Sequence, residues 1–390
     1  MLSRRGFVQT MSVGAAAAWI GARGREHGIW SAFEPSLQAV EPGTIVLASN
    51  ENPIGPGKSV MKAVRSAFGD GNRAPGRYSG TSGDLIDAIA KKVGVKPENV
   101  VLGCGSTQIL RTATHLFTAK DRPLVGTIPT YEECAGYAEM MGHPVRPVAL
   151  DAEFKMDLGK MADAAKGAGL VFYCNPNNPT ATYVGAKATR DFLARVARES
   201  PETYVLVDEA YYDYVTDPDH DTHIPVALDN PRVVIARTFS KAYGMAGLRL
   251  GYAVGHADTI KKMREWDAGT GTSSLNVLAL HAGLAAIEQD ATFITSERAR
   301  NTASRDFTMK WFAERGMKPT DSQANFMFVN IGRPAKEFRD ACRLKGVLVA
   351  RDFPPFEKTH CRLSFGTMDE MKKAVAVFAE VLGKKNATAA

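Results

Sequence analysis

The sequence predicts an α/β protein, with a large, mostly parallel sheet covered by helices on both faces and a smaller C-terminal α+β domain. Three observations predict it. Short continuous apolar runs rich in β-branched residues end at positions 102, 128, 173, 207 and 236, as strands buried on both faces do. Segments of helical pattern alternate with them, among them Asp84 to Val93, Lys187 to Glu199 and Asn276 to Gln289. After about Ala291 the alternation stops. There Ser322 to Val329 and Arg362 to Phe365 read as strands of a separate layer, closed by a helix from Met368 to Leu382. A chain of 390 residues with 45% hydrophobic content can bury more than one core. The expected divisions are 1–35 as a leader and linker, 36–70 as an N-terminal segment packing on the small domain, 71–290 as the large domain and 291–390 as the small one.

In open α/β sheets ligands bind outside the carboxyl ends of the strands, so the residues following each run are the candidates for chemistry. Val100 to Leu102 leads into Gly103-Cys104-Gly105-Ser106-Thr107-Gln108, where glycines expose backbone N–H groups and a helix N-terminus favours an anion. A dinucleotide fingerprint would need a third glycine where Gln108 stands. Leu124 to Ile128 is followed by Pro129-Thr130-Tyr131, whose aromatic ring also suits simple core packing. Leu170 to Tyr173 breaks at Cys174-Asn175-Pro176-Asn177-Asn178-Pro179-Thr180-Ala181, a turn dense in Asn and Pro. Tyr204 to Val207 ends in Asp208-Glu209-Ala210-Tyr211; Asp208 sits where a ligand would, and equally suits a helix N-cap.

The densest signal is Thr238-Phe239-Ser240-Lys241 running on to Arg249 and Gly251. A lysine amine can form a Schiff base with an aldehyde if burial and neighbouring cations leave part of it unprotonated. Hydroxyls and an arginine close by can hold a phosphate dianion. With these motifs in this order, residues 40–384 resemble the fold-type I aminotransferases that use pyridoxal 5'-phosphate (PLP), most closely the histidinol-phosphate aminotransferase-like group.

The resemblance implies an internal aldimine on Lys241, whose freed amine then moves the donor's Cα proton. It also implies Asp208 on the pyridine nitrogen, Asn178 and Tyr211 on the phenolic oxygen, and Tyr131 stacked on the ring. Ser106, Thr107, Thr238, Ser240 and Arg249 would hold the phosphate. Arg362 matches the arginine that takes the α-carboxylate, or the phosphate in the histidinol-phosphate enzyme, and Asn52 would lie near that group. Tyr78 matches a tyrosine that reaches the partner subunit's cofactor phosphate, which implies a homodimer; Ser79-Gly80-Thr81-Ser82-Gly83 follows it as a polar loop where the family continues with Pro-Asp. Ala181 stands where the family has glycine, so the turn either avoids positive φ or accepts strain. The implied reaction passes an amino group from an amino acid, aromatic or histidinol-phosphate-like, to a 2-keto acid. A decarboxylase or lyase of the same fold, or a non-catalytic PLP-binding protein, is the alternative.

Ser3-Arg4-Arg5-Gly6-Phe7-Val8 precedes an alanine-rich run from Met11 to Ala22, the layout of a twin-arginine export signal, with cleavage expected near Ile20-Gly21-Ala22. A functional signal implies a periplasmic enzyme, and a non-functional one a cytoplasmic enzyme. The run is too short to span a bilayer comfortably, so no stable membrane insertion is expected. The formal net charge of +6 is spread along the chain, which argues against nucleic-acid binding. The five cysteines show no paired metal spacing and suggest no disulfide framework. The tail from Asn386 to Ala390 is expected to fray.

Overall fold

In the computed structural model, residues 41–69, 76, 81–266, 275–289 and 292–383 are described. The leader, Tyr78 and the C-terminal tail lie outside them. The architecture below is that of the compact unit Ile45–Ala390.

Its strands are β1 (Ile45–Leu47), β2 (Val100–Gly103), β3 (Leu124–Ile128), β4 (Val145–Ala149), β5 (Leu170–Cys174), β6 (Tyr204–Asp208), β7 (Val233–Thr238), β8 (Gly251–Gly255), β9 (Phe326–Asn330), β10 (Val347–Val349) and β11 (His360–Ser364). Seven of them make the large sheet, in the order β2-β8-β7-β6-β5-β3-β4. All its pairings are parallel except those of β8, which runs antiparallel to both β2 and β7. Strand alternation separates the two faces. Val171, Tyr173, Val205, Val207, Val233 and Ile235 join one core. Leu170, Phe172, Tyr204, Leu206 and Val234, one residue out of phase, join the other. This two-sided burial is why the strands read as continuous apolar runs.

Two strands escape that reading. Edge strand β4, Val145-Arg146-Pro147-Val148-Ala149, has only Val148 fully buried and carries a proline, which an edge tolerates. β8 is bracketed by Gly251 and Gly255, which read locally as turns.

A third core joins the two ends of the chain. β1 pairs in parallel with β10, β9 pairs antiparallel with β11, and Leu47, Phe312, Met327, Val349, Leu363 and Phe378 pack together. The last helix, Met368–Leu382, starts at a capping box: the Thr367 hydroxyl accepts from the Glu370 amide at 3.3 Å while the Glu370 carboxylate accepts from the Thr367 amide at 2.7 Å. Where a strand was expected from Ser322, the first four residues form a turn instead. The Ser322 hydroxyl donates to the Phe326 carbonyl at 2.6 Å, and the ladder begins only at Phe326. Thr81 to Gly83, expected in a loop, are the start of the helix Thr81–Val93. Among the described residues no single helix is long and apolar enough to cross a membrane.

Ala181 accepts strain: its φ is 61°, its amide donates to the Asn177 carbonyl at 2.7 Å, and its side chain is buried. Left-handed backbone costs a non-glycine residue about 1–2 kcal/mol. A buried methyl group contributes about 0.8 kcal/mol, and glycine's extra chain entropy would cost about 0.5–1 kcal/mol. These contributions nearly cancel. Ala181→Gly should therefore leave the unfolding free energy within about 1 kcal/mol of the parent, as read by chemical denaturation; a loss above about 3 kcal/mol would show that the methyl group itself shapes the turn.

Candidate active site

Strand order brings the motifs to one edge. The carboxyl ends of β2, β3, β5, β6 and β7 all face it, and β8 starts there, with Gly251 opposite both Gly103 and Thr238. The helix Gly105–Phe117 opens at this edge with Ser106 and Thr107 in its first turn, which carries no acidic residue. Its free amides and dipole therefore favour an anion. Two glycines make room. A Cβ on Gly251 would meet the Gly105 carbonyl carbon at 2.7 Å, and one on Gly105, at φ +72°, would meet the Arg249 guanidinium carbon at 3.0 Å. Arg249, left-handed at φ 56°, donates to the Ser240 hydroxyl at 3.3 Å and the Ala246 carbonyl at 2.8 Å. The Ser240 amide donates to the Thr238 hydroxyl at 3.1 Å. Ser106, Thr107, Thr238, Ser240 and Arg249 thus form one cradle.

Lys241 follows the cradle. Its amine donates to the Ser49 carbonyl at 3.0 Å and lies 5.8 Å from the Tyr211 ring centre. Burial, with Arg362 and Arg249 adding to it, brings its pKa down to about 8. Asp208 at the end of β6 is pushed the other way, up to about 7, by burial, against the Ala210 amide and Lys241. The Ala210 amide donates to Asp208 Oδ1 at 3.2 Å, and no cation pairs directly with the carboxyl among the described residues. Its neighbour Glu209 differs. Burial would raise its pKa too, but Arg237 at 2.7 Å and His223 hold it at about 2. The two adjacent carboxyl groups are therefore shifted in opposite directions. Glu209 is neutralised within the protein, whereas Asp208 is left for a cationic partner from outside it.

Tyr211 accepts a hydrogen bond from Asn50 Nδ2 at 3.1 Å, packs edge-on to Phe326, and is raised in pKa by burial. Tyr131 packs against the sheet core beside Thr107, its phenol raised by burial. Asn178 Oδ1 accepts from Arg362 Nη1 at 2.8 Å. Arg362, on β11, also donates to the Ala48 carbonyl and stacks over Phe353, while its Nε is buried without a partner. Burial brings its pKa down to about 10; Tyr211 and Glu132 raise it and Arg351 lowers it.

Asn52, expected near the substrate, is otherwise engaged. Its Nδ2 donates to the Ala242 carbonyl at 3.0 Å and its Oδ1 accepts from the Ile54 amide at 3.1 Å, so it ties the N-terminal segment to the residue after Lys241. Asn50 makes the contacts inside the site, bridging Tyr211 to the Ser364 hydroxyl at 2.9 Å from a left-handed backbone that asparagine tolerates. Only its place in Ser49-Asn50-Glu51-Asn52 hinted at it in the sequence. Arg351 and Glu132, ion-paired beside Arg362, had no motif at all.

Residues 42–378 match the family described as aminotransferase class I and II. The chain belongs to that family. This aminotransferase is 35% identical over 343 residues to the histidinol-phosphate aminotransferase of Moorella thermoacetica, covering 87% of this chain and 85% of the relative. It is 32% identical over 343 residues to that of Bacillus subtilis, with 87% and 91% covered. The structure of the Sinorhizobium meliloti histidinol-phosphate aminotransferase in complex with PLP superposes with a TM-score of 0.78 at 26% identity, covering 93% of this chain and 94% of that one. The fold is therefore that of the fold-type I aminotransferases.

PLP is the aminotransferase's cofactor, and the residues present fit it. The cradle suits its phosphate, uncompensated Asp208 suits a protonated pyridine nitrogen, and Lys241 suits its aldehyde. Among the described residues no group of three or more His, Cys, Asp or Glu could hold a metal ion.

The depressed Lys241 pKa has a direct consequence. In cofactor-free protein the rate of PLP capture should rise roughly tenfold per pH unit below about 8 and flatten above it, because only the neutral amine attacks. Stopped-flow absorbance across pH 6 to about 10 checks this; a rate still climbing at about 10 would place the amine at the ordinary lysine value.

Proposed function

We propose that this aminotransferase takes its amino group from an aromatic or otherwise bulky amino acid and passes it to a 2-keto acid. The carrying observation is one site that brings together a lysine with pKa about 8 and a buried acid with pKa about 7 from the large sheet with a buried arginine from β11 whose Nε is unpartnered. PLP, when bound, supplies an electron sink for a carbanion at the donor's Cα. Around it the protein's groups have distinct tasks. The Arg362 guanidinium fork orients the donor's anionic end. Lys241 Nζ, with a pKa lowered to about 8 so that a fraction of it is unprotonated near neutral pH, would take the proton from the donor's Cα and give it to the carbon that receives the amino group. Asp208, ionised when it faces a cation, keeps a proton on the ring nitrogen. Asn178, with its NH2 group unengaged among the described residues, and Tyr211 would donate to the ring oxygen. The rings of Phe326 and Phe353 beside Arg362 support the bulky donor.

Two parts of the proposal lie outside the described residues. A homodimer would bring Tyr78 of one subunit to the other's cofactor phosphate, and residues 1–35 would direct export by the twin-arginine route.

Lys241→Ala should abolish amino transfer yet keep non-covalent PLP binding, since the five cradle residues remain; a purified variant within tenfold of wild type in a donor panel against 2-oxoglutarate and pyruvate would overturn the proposal. Asp208→Asn should fold normally and lower kcat by about 10²–10³ or more, the range for loss of a preorganised electrostatic group; an unchanged kcat would mean that another group holds the ring proton. Arg4→Lys with Arg5→Lys keeps the charge but removes the guanidinium forks. It should leave activity intact and shift it to the cytoplasmic fraction, and equal cytoplasmic activity in both proteins, with none exported, would end the export reading.

A further inference from the structure

Arg362, buried with its Nε unpartnered, marks an anion pocket in this enzyme. Arg362 is joined there by a second arginine, Arg351, in the segment between β10 and β11; the two guanidinium groups lie against the same Phe353 ring, 4.8 and 4.4 Å from its centre. A phosphate monoester is a dianion near neutral pH and draws on two guanidinium groups. An α-carboxylate is a monoanion and is satisfied by one fork. Which of the two the pocket takes depends on whether Arg351 is available, and it is already neutralised. Its Nη2 donates to Glu132 Oε2, its Nη1 donates to the Asp352 carbonyl at 2.9 Å, and its guanidinium lies 4.4 Å from the Phe353 ring centre. Glu132 immediately follows Tyr131, its half-exposed carboxylate is held by Arg351, and it is near enough to raise the Arg362 pKa. A dianion entering beside Arg362 would have to displace this carboxylate and then lie next to it.

We propose that the Glu132–Arg351 pair makes the enzyme select α-amino carboxylates over amino-alcohol phosphate esters, with Glu132 as the specificity-determining residue. The proposal rests on the aminotransferase reading of the site. It departs from what the names of the relatives would suggest for the donor.

The test uses cofactor-loaded enzyme, with L-phenylalanine and L-histidinol phosphate as donors to 2-oxoglutarate. Wild type should have the higher kcat/KM for L-phenylalanine. Glu132→Gln should shift the ratio of the two values toward L-histidinol phosphate at least tenfold, and inorganic phosphate, titrated calorimetrically, should bind the variant at least tenfold more tightly than wild type. Adding Arg351→Met should cancel both gains, since they depend on the released guanidinium. A wild-type preference for L-histidinol phosphate, an unchanged ratio in Glu132→Gln, or a gain that survives loss of Arg351 each overturns the inference. Wild type inactive with both donors and across a wider donor panel would instead overturn the aminotransferase reading, while the phosphate titration still reports on the pair.

Discussion

The site depends on a close backbone approach where β8 enters the large sheet. Running antiparallel between β2 and β7, β8 sets Gly251 opposite Gly103 on one side and Thr238 on the other. Because neither Gly251 nor Gly105 carries a Cβ, the helix N-terminus at Ser106, the Thr238–Ser240 turn and the Arg249 guanidinium come together. A phosphate cradle of this kind needs little from any single side chain. It comes from three pieces of backbone held by a hydrogen-bonded ladder, which is why it can be rigid before anything binds.

On that scaffold the charges are balanced only in part. Glu209 is closed off by Arg237 and His223 on the protein side. Asp208 and Arg362 are buried and Lys241 is half-buried, with no direct ion pair among the described residues. The cost of burying them shows as displaced pKa values: upward for the acid, downward for the lysine and arginine. Perturbed groups facing one another across a cleft are the physical sign of a site that waits for the ligand's charges.

The ends of the chain complete the pocket. Ala48, Ser49 and Asn50, just past β1, supply two backbone acceptors and the amide that reaches Tyr211, while β11 supplies Arg362 and Ser364. Parallel pairing of β1 with β10 fixes the N-terminal segment in the C-terminal layer. The Lys241 pKa is lowered first by burial and then by Arg362, which this C-terminal layer supplies.

Local sequence was enough for the parts whose signal is local. Doubly buried strands read as apolar runs, the last helix read from Met368 to Leu382, and Lys241, Asp208, Asn178, Tyr211 and Arg249 stood out in motifs whose order identified the family. The half-exposed edge strand β4 and the glycine-bracketed β8 were hidden because their roles depend on neighbours and not on their own composition. So were Asn50, Glu132 and Arg351, ordinary polar residues that matter only because the fold sets them beside Arg362 and Tyr211. The sequence by itself determined which functional groups exist and which elements carry them, since periodicity and motif are short-range. Tertiary structure alone decided which charges face each other without a partner, because burial and Coulomb interaction depend on distance in space and not on distance along the chain.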